Sequence, residues 1–210
     1  MRYPCLVVDH DDTVVDSTAT VHYPCFVEYT GIYHPGVHYT LDEYIKDNFD
    51  PGIVALFRDI IGMSEEEMER EQRYWNDYVK RHVPRAYDGM RELLWRHKRS
   101  GGTLCVVSHS YTENILRDYR ENDLPEPDMV FGWESPAHER KPSPYPLEEI
   151  MRRGGFSREE LLICEDLDMC TACAKTLQVR GDIVAGEAFA PRELPAGPIG
   201  KASTEESDIK

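Results

Sequence analysis

Four short apolar runs limit what this chain can fold into. They read CLVV at 5–8, TLCVV at 103–107, DMVF at 128–131 and LLIC at 161–164. Each is too short for a buried helix, rich in branched aliphatic residues, and free of the apolar–polar alternation of a half-exposed strand. Runs of this kind, set between helical patterns, are strands covered on both faces. That is the condition of a parallel sheet whose connections are helices. The expected class is therefore α/β, a three-layer core around a central parallel sheet. A further short strand fits at 182–185.

The punctuation between the runs marks helices. SYTE at 110–113 and SREE at 157–160 have the spacing of a capping box, in which a hydroxyl and a carboxylate three residues apart satisfy the first free amides of a helix. In YDGMRELLWRHKRSGG, Met90, Leu93, Leu94 and His97 share one helical face, and Gly101 and Gly102 end the helix. The interval between the first two strands has no strand pattern. TLDE at 40–43 and SEEE at 64–67 are further capping boxes, and Asp50-Pro51 is a cap followed by a first-turn proline. Helices are expected over 41–48, 51–61 and 65–82. The organisation predicted is a core from 1–16 and 84–190, an all-helical insert over 17–83, and an irregular tail over 191–210. From Gly181 onward four Gly and three Pro fall in thirty residues with few large apolar groups.

Charge and composition exclude some functions. Hydrophobic residues make up 40% of the 210, enough for a sizeable core, and the net charge is −15 without any basic cluster. That argues against nucleic-acid and anionic-membrane partners. No apolar stretch approaches the roughly 20 residues of a membrane helix, and the first apolar run is cut at Asp9, so a cytoplasmic protein without a signal peptide is expected. Cys5, Cys105 and Cys164 lie in the strand runs as small hydrophobes. Cys170 and Cys173 form a lone CxxC with no second pair to complete a zinc site.

The residues that follow the strands carry chemistry. After the first run come Asp9, Asp11 and Asp12; after the second, Ser108, His109 and Ser110; after the third, through a loop, Lys141; after the fourth, Glu165, Asp166 and Asp168. In an open parallel sheet ligands bind beyond the carboxyl ends of the strands. Two carboxylates at the end of a buried strand are costly without a partner. An oxygen-only cluster suits magnesium, which takes one or two carboxylates with waters and a substrate phosphate. A serine and main-chain amides at a strand-to-helix turn cradle an anion, and a lysine adds a point charge. Together these are the parts of phosphoryl transfer. Asp12, Asp16 and Ser110 read as turn or cap residues, and His10 as a satisfied buried histidine.

In these motifs the sequence resembles the haloacid dehalogenase superfamily, in the group with a helical cap inserted after the first strand, similar to phosphoglycolate phosphatases and β-phosphoglucomutases. Asp9-His10-Asp11-Asp12-Thr13, Ser108, Lys141 in KPSP and Glu165-Asp166 match its four motifs in order, over about residues 4–180. The resemblance implies a Rossmann-like core with a helical cap. It also implies Asp9 as nucleophile forming an aspartyl-phosphate, Asp11 as general acid and base, Ser108 and the His109 amide on the phosphoryl oxygens, and Lys141 on Asp9 and the phosphate. Magnesium would be held by Asp9, the Asp11 carbonyl and Asp166, with Glu165 in support. His10 departs from the large apolar residue usual there, and Cys170 stands where some members carry a further aspartate.

The function implied is a magnesium-dependent phosphatase acting on a small phosphorylated metabolite. A phosphosugar mutase shares the core machinery, and a non-catalytic phospho-ligand binder is the reading from another class. Asp11 argues against a dehalogenase, which has no leaving alcohol to protonate. Phosphonate hydrolases need a lysine early in the insert, and no Lys or Arg occurs between Arg2 and Lys46. Tyr23, Tyr29, Tyr33, His34, His38 and Tyr39, in the insert's first segment, are the candidates for reading the substrate. The connections at 17–20 and 83–87 are expected hinges. Oligomeric state is not legible in the sequence.

Overall fold

The structure, a computed structural model, describes residues 3–165 and 180–183. Five parallel strands form one sheet: β1 (Cys5–Val8), β2 (Thr103–Val107), β3 (Met129–Phe131), β4 (Leu161–Glu165) and β5 (Arg180–Ile183), in the order β3-β2-β1-β4-β5. The first four coincide with the apolar runs to within a residue, and β5 begins two residues ahead of the expected short strand. β1 lies centrally, with Val8 opposite Val106 of β2 and Cys164 of β4. Its alternating side chains serve two cores. Cys5 and Val7 pack with Cys105, Val107, Ile163 and, from helix α7 (Tyr145–Gly154), Leu147 and Ile150. Leu6 and Val8 pack with Leu104, Val106, Met90 and Leu94 of α5 (Met90–Arg99), and Ile115 and Tyr119 of α6 (Thr112–Glu121). This is a three-layer, Rossmann-like arrangement.

The interval between β1 and β2 is helical. A π-helical turn, Thr18–His22, leads into α1 (Tyr23–Tyr33). Then come α2 (Leu41–Asp47), the short α3 (Ile53–Ala55), which runs into a π-helical Leu56–Ile61, and α4 (Glu65–Val79). Capping boxes are made at Thr40 with Glu43 and at Ser64 with Glu67. The segment's buried residues form their own clusters: Phe26, Tyr29, Tyr44, Leu56, Phe57 and Met63 in one, and Val21, Cys25, Tyr78 and Val79 in another. Its two connections to the sheet run side by side. Asp16 donates its amide to Arg85 O at 2.9 Å, and Tyr87 donates to Val14 O at 3.1 Å.

Three of the expected caps come out differently; at Asp50-Pro51, α3 starts behind Gly52 and no side chain caps it. The box at 157–160 is made, but it caps a single 3₁₀ turn, Arg158–Glu160, that feeds β4 rather than a longer helix. At 110–113 no box forms: α6 starts at Thr112 behind Tyr111. The Thr112 amide finds its acceptor in Glu134 Oε2, at 3.2 Å, from the loop after β3. That frees Ser110 for another partner. Among the described residues no helix is long and apolar enough to cross a membrane.

Candidate active site

The site forms where the register of β1, β2 and β4 brings their carboxyl ends together. Asp9 follows directly from β1 and stays tied to β4, donating its amide to Cys164 O at 3.0 Å. Lys141, from the loop between β3 and α7, reaches into the same place. Its Nζ lies 3.0 Å from Asp9 Oδ1, 3.0 Å from Glu165 Oε1 and 3.3 Å from Glu165 Oε2. All three side chains are more than nine-tenths buried. Buried carboxylates are costly unless their charge is shared, and here one ammonium serves two of them.

Ser108 sits at the end of β2, buried, its amide donated to Phe131 O at 3.0 Å. Its hydroxyl oxygen accepts the Ser110 amide at 3.1 Å. The His109 side chain braces the lysine loop instead of facing the carboxylates: Nε2 donates to Lys141 O at 3.1 Å. Because a carbonyl only accepts, that nitrogen carries the proton. The His109 ring also meets Trp133 edge-on, with centroids 5.8 Å apart.

Asp11 is half-buried and has partners from both sides. Ser110 Oγ donates to its Oδ2 at 2.6 Å, so Ser110 serves this carboxylate and is not a helix cap. His22, from the helical segment, places Nε2 at 3.6 Å from Oδ1. The Trp75 indole donates to His22 Nδ1 at 3.1 Å. An indole N–H can only donate, so His22 Nδ1 holds a lone pair and Nε2, facing Asp11, holds the proton. Burial pushes the Asp11 carboxyl up. The facing His22 N–H, the charge of a protonated His10 and the Ser110 hydroxyl outweigh it and hold the group well below the usual carboxylate range.

Beneath this layer the expected turn and packing roles hold. Asp12 adopts a left-handed backbone (φ 53) and accepts from the Thr18 amide at 2.9 Å and from the Thr18 hydroxyl. His10 is 1% exposed and pairs through Nε2 with Asp118 Oδ2 at 3.0 Å. Burial disfavours its charge, but the Asp118 hydrogen bond and the charges of Asp11, Asp118 and Asp9 raise its pKa above the ordinary value. Arg117 Nε donates to the other Asp118 oxygen at 2.8 Å.

The structure thus brings together Asp9, Lys141 and Glu165, puts Ser108 on the neighbouring strand end, and sets Asp11 under Ser110 and His22. Asp166, Asp168, Cys170 and Cys173 lie outside the described residues. Sequence reasoning missed His22, Asp118 and Ser110 as partners. For Asp118 a signal was present, since Ile115, Asp118 and Tyr119 fall on one face of α6 and an acid on an apolar stripe needs a partner. His22 carried no such mark.

Beside His22 and His109 lies a cavity of about 370 Å³, and none of Asp9, Asp11, Ser108, Lys141 or Glu165 lines it. Most of its wall comes from the helical segment, including Phe26, Tyr44, Phe57, Glu71 and Trp75; His109, Tyr111 and Trp133 close it from the sheet side. None of Tyr23, Tyr29, Tyr33, His34, His38 or Tyr39 lines it. The tyrosines go to the segment's own packing, the Tyr23 hydroxyl donating to Tyr39 O at 2.9 Å and the Tyr33 ring tilted against Tyr29 with centroids 4.8 Å apart, while His38 is exposed.

A parallel sheet with acids, a serine and a lysine at its carboxyl edge, roofed by helices inserted after the first strand, defines a class of hydrolase. The family model for haloacid dehalogenase-like hydrolases matches residues 6–183, and the chain belongs to that family. No curated protein matches the sequence. Among solved structures the chain is similar to a hydrolase from Streptococcus pneumoniae TIGR4, with 17% identity, 88% of this chain and 94% of that one covered, and a TM-score of 0.65. It is similar to a protein described as a predicted phosphoglycolate phosphatase from Haemophilus somnus 129pt (16% identity, 86% and 84% covered, TM-score 0.68). CbbY from Rhodobacter sphaeroides, solved in complex with phosphate, covers 92% of its own length and 93% of this chain at 17% identity and a TM-score of 0.64. At such identities these structures share the fold.

Proposed function

We propose that the protein is a magnesium-dependent phosphatase that hydrolyses a small phosphorylated metabolite through an aspartyl-phosphate on Asp9. The observation that carries this reading is the buried Asp9–Lys141–Glu165 cluster. Three chain segments converge so that one lysine, 3.0 Å from a carboxylate oxygen of each acid, holds both at the sheet's carboxyl edge. The Asp9 and Glu165 carboxylates and the Asp11 carbonyl are hard oxygen donors, which fits magnesium. Asp166 would complete the set. When bound, the metal would neutralise phosphate charge and aid attack by an anionic carboxylate.

Asp9 attacks phosphorus, splitting one displacement into two easier ones. Lys141 orients Asp9, while Ser108 and the amides of the turn after β2 receive the phosphoryl oxygens. Asp11 gives a proton to the leaving oxygen and then takes one from water. Free, Asp11 is held strongly ionised; the negative charge of an arriving phosphate raises its proton affinity. The helical segment over 17–83 acts as a cap that excludes water during the reaction. The test is phosphate release from p-nitrophenyl phosphate with magnesium and after chelation. Hydrolysis abolished by chelation and by Asp9→Asn supports the reading; release that survives either one overturns it.

A further inference from the structure

The cavity beside His22 and His109 has an unusual polar inventory. Its walls are mainly apolar and aromatic, and among the described residues no Lys or Arg lines it. Four arginines of the helical segment are engaged elsewhere: Arg58 with Asp59, Arg70 with Glu67 and over the Tyr33 ring, Arg73 with Glu69, and Arg81 with Asp77 O. At the mouth, Arg140 lies 4.1 Å over the Trp133 ring and donates to Ser135 O at 2.6 Å. One acid does line the cavity. Glu71, on the inner face of α4, is 8% exposed, and among the described residues no hydrogen bond or ion pair reaches its carboxylate. Burial pushes that carboxyl up to about 7, with His22 pulling slightly the other way.

A pocket without cations is a poor receptor for a second phosphate or a carboxylate, because a buried anion needs a paired charge. It suits the opposite case. Phe26, Tyr44, Phe57 and Trp75 present ring surface around a lone buried acid, the surroundings that stabilise an ammonium group. A volume of about 370 Å³ is at the small end of ligand sites, roughly 300–1,000 Å³. Its wall includes His22, whose Nε2 faces Asp11, and His109, whose ring is bonded to Lys141 O, so the site residues adjoin the cavity through these two side chains.

We propose that the substrate is the phosphate monoester of a small alcohol whose far end carries an ammonium group, received by the Glu71 carboxylate within these aromatic walls. This rests on the phosphatase reading. The alcohol product would keep its positive charge, and the cap would select against sugar bisphosphates and phosphorylated carboxylic acids.

The experiment compares kcat/KM for four phosphates: p-nitrophenyl phosphate, phosphocholine, its uncharged isostere 3,3-dimethylbutyl phosphate, and phosphoglycolate. Phosphocholine should exceed the isostere by at least about tenfold, with phosphoglycolate last. Glu71→Gln should cut the phosphocholine-to-isostere ratio by about fivefold or more. If the aryl phosphate is hydrolysed but phosphocholine does no better than the isostere, or phosphoglycolate leads, the substrate assignment fails while the phosphatase reading stands. A high ratio untouched by Glu71→Gln overturns the role of Glu71. If Glu71→Gln does not fold, the wild-type ratio still decides. If no phosphate is released at all, the phosphatase reading fails, and calorimetric binding of phosphocholine against its isostere to wild-type protein tests the cation preference alone.

Discussion

The sheet and the helical segment bury their apolar residues in different ways. The sheet is aliphatic and full: Cys5, Leu6, Val7 and Val8 are each at most 6% exposed, and successive residues serve opposite cores. The helical segment is aromatic, with Phe26 touching Tyr39, Tyr44 and Phe57, and Tyr29 touching Tyr33 and Tyr74. It leaves a cavity beside its own core and keeps Val54 half exposed at the rim. Interdigitated strands hold side chains to a fraction of an ångström, which positioned chemistry needs. Aromatic packing around a void gives shape and surface to a ligand. On the proposed reading, the sheet edge carries the reaction and the helical segment the recognition. His22, hydrogen-bonded by Trp75 and facing Asp11, joins them.

The largest expected effects lie at the sheet edge. Asp9→Asn keeps the volume and removes the nucleophile, so turnover should fall by more than about 10⁴-fold, with an unchanged circular dichroism spectrum. Asp11→Asn should cost about 10²–10⁴-fold. Near-normal rates in either would place the chemistry elsewhere and dissolve the division.

Next comes the buried ion cluster. Lys141→Ala leaves Asp9 and Glu165 facing each other without their shared ammonium, at a cost of about 3–5 kcal/mol in denaturant unfolding. No cavity-lining residue of the helical segment should match it. A loss under about 1 kcal/mol, the range of an exposed pair, would show that solvent reaches the cluster.

A matched pair of leucines sharpens the comparison. Leu104 in β2 and Leu56 in the helical segment are both 0% exposed, and either change to Ala should cost about 3–5 kcal/mol. Hydrogen exchange should separate them. Leu104→Ala should lower protection throughout, while Leu56→Ala should lower it mainly between residues 17 and 83. Uniform loss from Leu56→Ala would make the two regions one cooperative unit.

Glu71 gives the helical segment a pH signature. With the folded carboxyl up at about 7 and the ordinary value at 4.5, the folded state keeps its proton where the unfolded chain has lost it. Its contribution is complete below pH 4.5, is lost progressively as pH rises to about 7, and is constant above, an effect on the order of 3 kcal/mol. Glu71→Gln mimics the neutral acid, so its melting temperature should pull ahead of wild type over that window. Parallel curves would mean that Glu71 is solvated. The smallest effect belongs to a local cap: Thr40→Ala should cost about 1 kcal/mol and leave the sheet's exchange rates unchanged.

Much of the site was legible because strands announce their own ends. The apolar runs mark β1 to β4, and the residue types that follow them, Asp9, Ser108 and Glu165, stand where a parallel sheet concentrates ligands. Lys141 was found by its motif, after a loop rather than a strand. The boxes at Thr40 and Ser64 were equally readable, since both partners lie within one turn. Ser110 shows where local reading gives way. Its spacing to Glu113 suits a box, but its hydroxyl donates to a carboxylate from another strand end, and the amide of Thr112 donates to Glu134.

What the sequence by itself determined, then, is the class of fold, the order of the strands along the chain and the kind of chemistry at the sheet's edge. Each depends on neighbours a few residues apart, or on a residue type following a strand. Packing between elements settled the rest: His22 faces Asp11 and is held by a bond from Trp75, His10 pairs with Asp118, and Phe26, Tyr44 and Glu71 rather than Tyr33, His34 and His38 line the cavity. In those contacts the partners come from separate elements. Burial and distance set their protonation and their access to the cavity, and neither exists until the helices have packed over the sheet.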